Sequence, residues 1–215
     1  MTPGGARLRL SAGMVRAMRV FHRENAGRPI RVIWTLEELG EPYEVNAMTR
    51  EQGASEEHRV RHPLGRVPVL EDAHGFVFES AAICLHLADL RPEAGLAPAP
   101  GTHERALVYQ WTVFAPAEIE PPLIEAARQA VRDPERAASA RRRFDAATVA
   151  VSDALGDNEF LVADSFTVAD VLVGTALGFT ARMGFAEELP ANVRSYLARL
   201  RERPAYRRAE AATAA

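Results

Sequence analysis

The proline-rich stretch Leu96-Ala97-Pro98-Ala99-Pro100-Gly101 constrains this chain more than any other feature. Proline fixes φ and lacks a backbone donor, so regular structure stops there. Upstream, short apolar runs bounded by turn residues alternate with helical spacing; downstream, no convincing strand follows. The chain therefore reads as an α+β unit over residues 18–95, a linker at 96–102 and an all-α unit over 103–215. At 215 residues it is long enough for two units of this size, each with a core.

The first unit opens at Met18, where Arg19-Val20-Phe21-His22 predicts a strand before the turn-rich Glu24-Asn25-Ala26-Gly27-Arg28-Pro29. Pro29 suits the first turn of a helix in which Ile30, Ile33, Trp34 and Leu36 recur until Gly40 ends it. Tyr43-Glu44-Val45-Asn46 predicts a second strand, and the charged residues 50–61 a loop with one short helix. Val67-Pro68-Val69-Leu70 and Phe76-Val77-Phe78, joined at His74-Gly75, predict a hairpin. Glu79-Ser80 then begins a helix carrying Ile83, Leu85, Leu87 and Leu90. Ahead of all this, residues 1–17 hold Arg7, Arg9 and Arg16, no acid, and too short an apolar run for a secretory leader. They read as a disordered extension, or as the result of a start codon placed ahead of Met14 or Met18.

In the second unit, Thr102 and Glu104 predict the start of a long helix bearing Leu107, Trp111 and Phe114, broken near Pro116. Asp133-Pro134 predicts the next, with Ala140, Phe144, Ala147, Val151 and Leu155 along one face. Further helices are expected over 168–179, over 192–201 and after Pro204. Thr167 and Asp170 form a cap signature with Asp at the third helical position, a structural pairing.

Composition removes several function classes. Twenty-six basic and 29 acidic residues leave a net charge of −3, spread along the chain, so nucleic acid is not an expected partner. All the basic residues are arginine, which reflects a GC-rich coding sequence more than physics. The longest apolar region, 168–179, is interrupted by Asp170 and falls short of the roughly 18 to 20 residues that cross a bilayer. The chain thus reads as soluble, with no membrane partner. The single Cys84 allows neither an internal disulfide nor a multi-cysteine metal site, which fits a reducing cytoplasm. Set mid-helix between Ile83 and Leu85, it reads as a buried, inert thiol. The six histidines lack ligand spacing with acids, and no phosphate-binding glycine loop occurs, so neither a metal nor a nucleotide is expected.

Five segments together resemble the cytosolic glutathione transferases, in particular bacterial-type members. They are RVIWTLEELGEPYEV (31–45), HPLGRVPVLED (62–72), ESAAICLHLAD (79–89), FTVADVLV (166–173) and RPAYRRA (203–209). Any one alone is weak; five in the family's order and spacing, on both sides of the linker, are specific. The resemblance implies a thioredoxin-like N-terminal domain and a helical C-terminal domain. It also implies glutathione as substrate, a pocket for a small hydrophobic electrophile between the domains, and a homodimer.

Each motif also has a local physical reading. A cis Val67–Pro68 bond costs about 0.5 to 1 kcal/mol over trans and would turn the Val67 backbone toward an extended peptide. Composition alone favours an ordinary trans proline at an edge strand, and the resemblance favours cis. Ser80 at a helix N-terminus fits the γ-glutamyl carboxylate, with Glu79 placing its ammonium; an N-cap role for Ser80 is an equally good local account. Arg66 reads evenly as a glutathione contact or a solvated charge. Tyr109, Trp111 and Phe114 sit at helical spacing, where most aromatics are core; Tyr109 and Trp111 are the expected acceptor-pocket residues.

Attack by glutathione needs its thiolate, and a free thiol has a pKa of about 8.5. Lowering that by about two units requires roughly 2.7 kcal/mol of anion stabilisation. Counting back from Arg31-Val32, the family's serine or cysteine position falls on Gly27 and its tyrosine position near His22. No Ser, Thr, Tyr or Cys lies between Met18 and Ile30. Asn25 is the expected thiolate donor, with Arg28, His22 and the turn's amides as the other groups, although asparagine there also suits a plain turn. Two functions follow: a transferase that conjugates glutathione, or a non-catalytic ligand carrier or assembly module retaining the glutathione site.

Overall fold

The computed structural model describes residues 18–24 and 26–214. The 1–17 extension and Asn25 lie outside the described residues. Four strands form one mixed sheet in the order β2-β1-β3-β4. Strand β1 (Met18–Arg23) feeds α1 (Pro29–Leu39), which crosses over to β2 (Tyr43–Met48), so β1 and β2 pair in parallel with Val20 opposite Val45. Strand β3 (Val69–Asp72) runs antiparallel to both β1 and β4 (Gly75–Phe78). Alternation along β1 sends Val20 into the main core with Leu70, while Phe21 packs with Met48 and Val69 in a small cluster on the other face.

Helix α1 ends as predicted, with Gly40 left-handed at φ +66° and its N–H bonded to the preceding turn. Between β2 and β3 the structure holds two short helices where one was expected. Thr49 and Gln52 box the start of α2 (Arg50–Gly53), and Ser55 caps α3 (Glu56–Arg61) by accepting from the His58 N–H. Helix α4 (Ser80–Leu90) follows β4 directly.

Beyond β4 the described residues contain one isolated bridge, Val162 to Ser165, and otherwise helices. Thr102 caps α5 (His103–Phe114), and a π-helical turn at Ala115–Ile119, carrying Pro116, connects it to α6 (Glu120–Gln129). Asp133 caps α7 (Pro134–Leu155), with Pro134 in its first turn. Helix α8 (Val168–Gly178) is buried from Val168 to Leu177, its apolar residues spread round the whole circumference and its two polar ones, Asp170 and Thr175, hydrogen-bonded. Short α9 (Thr180–Met183), then α10 (Ala191–Glu202) and α11 (Pro204–Ala214), complete the chain. The 203–209 motif acquires a role here. Arg203 grips Glu38 of α1 through two hydrogen bonds at 2.6 and 2.9 Å, and Arg208 meets Glu37 at 2.5 Å. The helical half is thus tied back onto the first helix, and one hydrophobic core runs through both halves. Among the described residues no helix is long and apolar enough to cross a membrane.

Candidate functional site

Two separate segments meet beside the sheet. The loop before β3 and the junction of β4 with α4 bring His62, Arg66, Val67, Pro68, Glu79 and Ser80 around one crevice, which Arg28 closes. The Val67–Pro68 peptide is cis. Glu79 has φ +69° and ψ 113°, a conformation that costs a non-glycine residue about 1 to 3 kcal/mol and concentrates at functional sites. It occupies the N-cap of α4 with no side-chain cap bond, so the first-turn amides are left without an intrahelical acceptor. Ser80 is therefore not the N-cap that its sequence position allowed. It is the first helical residue, buried, and its hydroxyl accepts from Arg31 Nη1 at 3.2 Å. Because a guanidinium only donates, the Ser80 proton remains free to donate elsewhere.

Arg31 is fully buried and joins three elements. Its Nε donates to Thr175 Oγ1 on α8 at 2.7 Å, and its Nη2 to one oxygen of the buried Glu120 on α6. Arg28 takes the other Glu120 oxygen through Nε at 2.8 Å and Nη2 at 2.5 Å. Burial pushes the Arg31 pKa down, and the Glu120 carboxylate opposes that shift. A buried charge of this kind is tolerable only when paired, and losing one partner costs about 3 to 5 kcal/mol.

Next to the crevice, and sharing Arg28, Arg66 and Val67 with it, lies a cavity of about 520 Å³ between the two halves. The β1–α1 turn contributes Arg23, Ala26 and Gly27 to its wall. The helical half contributes Glu120, Ile124, Arg128, Phe179, Arg182 and Met183. The Phe179 ring lies against Gly27 so closely that a Cβ built there would stand 2.3 Å from it. Beyond that contact a second hollow of about 580 Å³ reaches Tyr206 and Glu210.

Of the residues read from sequence, Arg66, Val67, Pro68, Glu79 and Ser80 stand together. Tyr109 and Trp111 do not join them, which corrects the expected acceptor pocket. Tyr109 is exposed beneath the Arg105 guanidinium, and Trp111 is buried edge-on against Phe114. Neither lines these cavities, because the faces of α6, α8 and α9 turn inward in their place. Cys84 is buried, and burial pushes its thiol up to about 11, as an inert core cysteine requires. Sequence reasoning missed Arg31, Glu120, Thr175, Arg128, Arg182 and Phe179. The available signals were a charge inside the apolar run 30–36 and an acid between Ile119 and Pro121.

Residues 17–89 match the family model described as glutathione S-transferase, N-terminal domain. Glutathione S-transferase 1 of Schizosaccharomyces pombe is 33% identical over 154 residues, covering 66% of this chain and 67% of its own length. Elongation factor 1-gamma of Trypanosoma cruzi is 34% identical over 138 residues, 64% of this chain. This chain spans 34 to 43% of the length of the first curated relatives it matches. Among solved structures, the glutathione transferase URE2P6 of Phanerochaete chrysosporium, in complex with oxidized glutathione, superposes with a TM-score of 0.81. Its identity is 26%, over 92% of this chain and 96% of that one. With its sheet order, its crevice at the α4 N-terminus and a 33% identical relative covered over two thirds of its length, this chain belongs to the glutathione S-transferase family.

Proposed function

We propose that the protein binds glutathione in the Val67–Ser80 crevice and conjugates its thiol to small hydrophobic electrophiles in the adjoining cavity. The observation that carries this reading is the open α4 N-terminus, where strained Glu79 and the hydroxyl of Ser80 border a crevice continuous with a larger cavity. The γ-glutamyl carboxylate fits the helix amides and Ser80, and its ammonium fits Glu79. A thiol lying where crevice and cavity meet faces Arg28, which borders both. That cation lowers the thiol pKa; the thiolate then forms the sulfur–carbon bond as the leaving group departs with its electron pair, the thiol proton having gone to solvent. Phe76 and Phe78, 41% and 40% exposed on one face of β4, offer an apolar surface for a homodimer. The lone buried Cys84 suits a reducing, cytoplasmic setting.

A second reading, a non-catalytic carrier or assembly module, is favoured by one observation: residues 18–30 contain no side-chain hydroxyl or thiol. Similarity to proteins named elongation factor 1-gamma agrees with it.

Calorimetric titration with glutathione and an S-alkyl glutathione, followed by conjugation assays, separates the two. Ser80→Ala should weaken glutathione binding by about 1.5 to 3 kcal/mol, the worth of a hydrogen bond to a charged group. Since Ser80 Oγ also accepts from Arg31, a small fall in thermal midpoint accompanies that loss. A variant that melts lower yet binds normally would assign Ser80 to Arg31 alone. Tight binding by wild type without turnover of any electrophile tried would replace the transferase reading with the carrier.

A further inference from the structure

The 520 Å³ cavity carries far more positive charge than its own carboxylate can balance. Glu120 is the single acid in its wall, and both Glu120 oxygens are already taken, one by Arg31 and one by Arg28. Arg23, Arg66, Arg128 and Arg182 line the same cavity, and none of the four makes an ion pair with a carboxylate of the described residues. Other arginines of this molecule do hold acids, as Arg203 holds Glu38, Arg208 holds Glu37 and Arg105 holds Asp89. What sets this recess apart is that four guanidiniums without a carboxylate partner share one wall.

The positions divide by origin. Arg23 and Arg66 come from the sheet half, Arg66 alone of them also bordering the crevice, while Arg128 on α6 and Arg182 on α9 come from the helical half. Glutathione brings two carboxylates and one ammonium. Its γ-glutamyl end is accounted for by the α4 N-terminus and Glu79, and its glycyl carboxylate needs one cation from the crevice side. With Arg66 in that role, Arg23, Arg128 and Arg182 remain, the last two on the helical half. The same wall carries apolar surface from Ile124, Phe179 and Met183.

We propose that the acceptor is an anionic amphiphile: an apolar body seated on Ile124, Phe179 and Met183, with a carboxylate or sulfonate held by Arg128 and Arg182. Planar guanidiniums with several donors suit oxyanions of this kind, and a recess of this volume takes a single small molecule, not a polymer. This inference rests on the glutathione reading above for the division of the arginines, but not for the charge surplus itself.

The test uses the full chain and two arms. In the first, affinity is measured for S-hexylglutathione and for its analogue with a carboxylate at the far end of the hexyl chain. Wild type should bind the carboxylate form about tenfold or more tightly, and the advantage should shrink as salt is raised. In the Arg128→Gln/Arg182→Gln double variant the advantage should vanish. The second arm leaves glutathione out: anilinonaphthalene sulfonate, an apolar ring system with one anion, should bind wild type and lose about tenfold in affinity in the same variant. Equal affinity of wild type for the two conjugates, or an advantage that survives in the variant, overturns the proposal. If no glutathione compound binds while the sulfonate still depends on the two arginines, the glutathione reading falls and the anion site stands. If the sulfonate is also indifferent to them, both fall.

Discussion

Gly27 stands where the family resemblance puts a catalytic hydroxyl, and the ring of Phe179 fills the space a side chain there would need. Its φ lies outside the positive region, so the obstacle is the ring and not the backbone. Gly27→Ser alone should therefore fail to raise conjugation of an aromatic halide, whereas Gly27→Ser with Phe179→Leu should raise kcat/KM about tenfold to a hundredfold, the worth of one hydrogen bond to a thiolate. If the double variant folds and is no faster, Gly27 does not adjoin the sulfur. Asn25, outside the described residues, keeps its sequence-based expectation: Asn25→Ala should lower kcat/KM by about tenfold to a hundredfold with binding intact, and no change would leave thiol activation to Arg28. At this scale, Val67, Pro68, Glu79 and Ser80 were legible because each sits inside a contiguous motif. Arg31 was not, although it lies in such a motif, because its partners Ser80, Glu120 and Thr175 are 49, 89 and 144 residues away and only packing brings them together.

Helix ends are where local sequence speaks most directly, and Thr102, Asp133 and Thr167 all cap as their positions predict. Residues 50–61 were under-read because two caps, Thr49 and Ser55, lie too close together for a single helix. Asp170 shows how much a cap signature can hide. Its carboxylate accepts from the Thr167 N–H at 2.8 Å, but also from the Leu161 N–H at 3.0 Å and the Tyr196 hydroxyl at 2.9 Å, all buried. Burial pushes its pKa up against the pull of those donors. A cap alone would be worth about 0.5 to 2 kcal/mol. Three buried donors left without an acceptor cost about 1 to 3 kcal/mol each, so Asp170→Ala should lose about 3 kcal/mol or more, roughly 6 to 12 °C in thermal midpoint for a chain of this size. Affinity for ligand per folded molecule should stay unchanged. A loss near 1 kcal/mol would mean that the carboxylate acts as a cap and nothing else.

The two halves were legible as an α+β unit and a helical unit, because strand alternation stops at the proline-rich stretch; how they meet was not, since α11 reaches α1 across more than 160 residues of chain. The assembled molecule buries histidines that sequence could not place, and two of them, His22 and His62, set its response to acid. His22 lies in the interior with Nδ1 unpartnered among the described residues, and burial holds its pKa below 6.5. His62, also buried, accepts the Leu64 N–H on Nδ1 at 3.1 Å, which fixes the neutral ring with its proton on Nε2. Burial is again the main cause of its lowered pKa, helped by His58 and Arg66 and opposed by Glu79. In the unfolded chain both rings regain the ordinary value, so below about pH 6.5 the unfolded state binds protons that the folded state refuses. Stability should then be level from pH 8 to 7 and fall as the pH drops through 6.5, by up to about 1.4 kcal/mol per pH unit for each histidine. Glu37 and Asp72 add a later loss. Burial alone would raise both, but Arg208 and Tyr43 on Glu37, and the His74 and Gly75 amides with His86 on Asp72, hold them below their usual values. Their contribution is complete above the ordinary carboxylate range and disappears beneath it, while the raised Asp170 works in the opposite direction over that range. The histidine phase can thus be read separately, in thermal midpoints measured from pH 8 to 5. His62→Asn, which keeps an acceptor for Leu64, should remove part of the decline that starts near 6.5. A decline that begins only near pH 4.5 in wild type would show that neither histidine is held neutral by the fold.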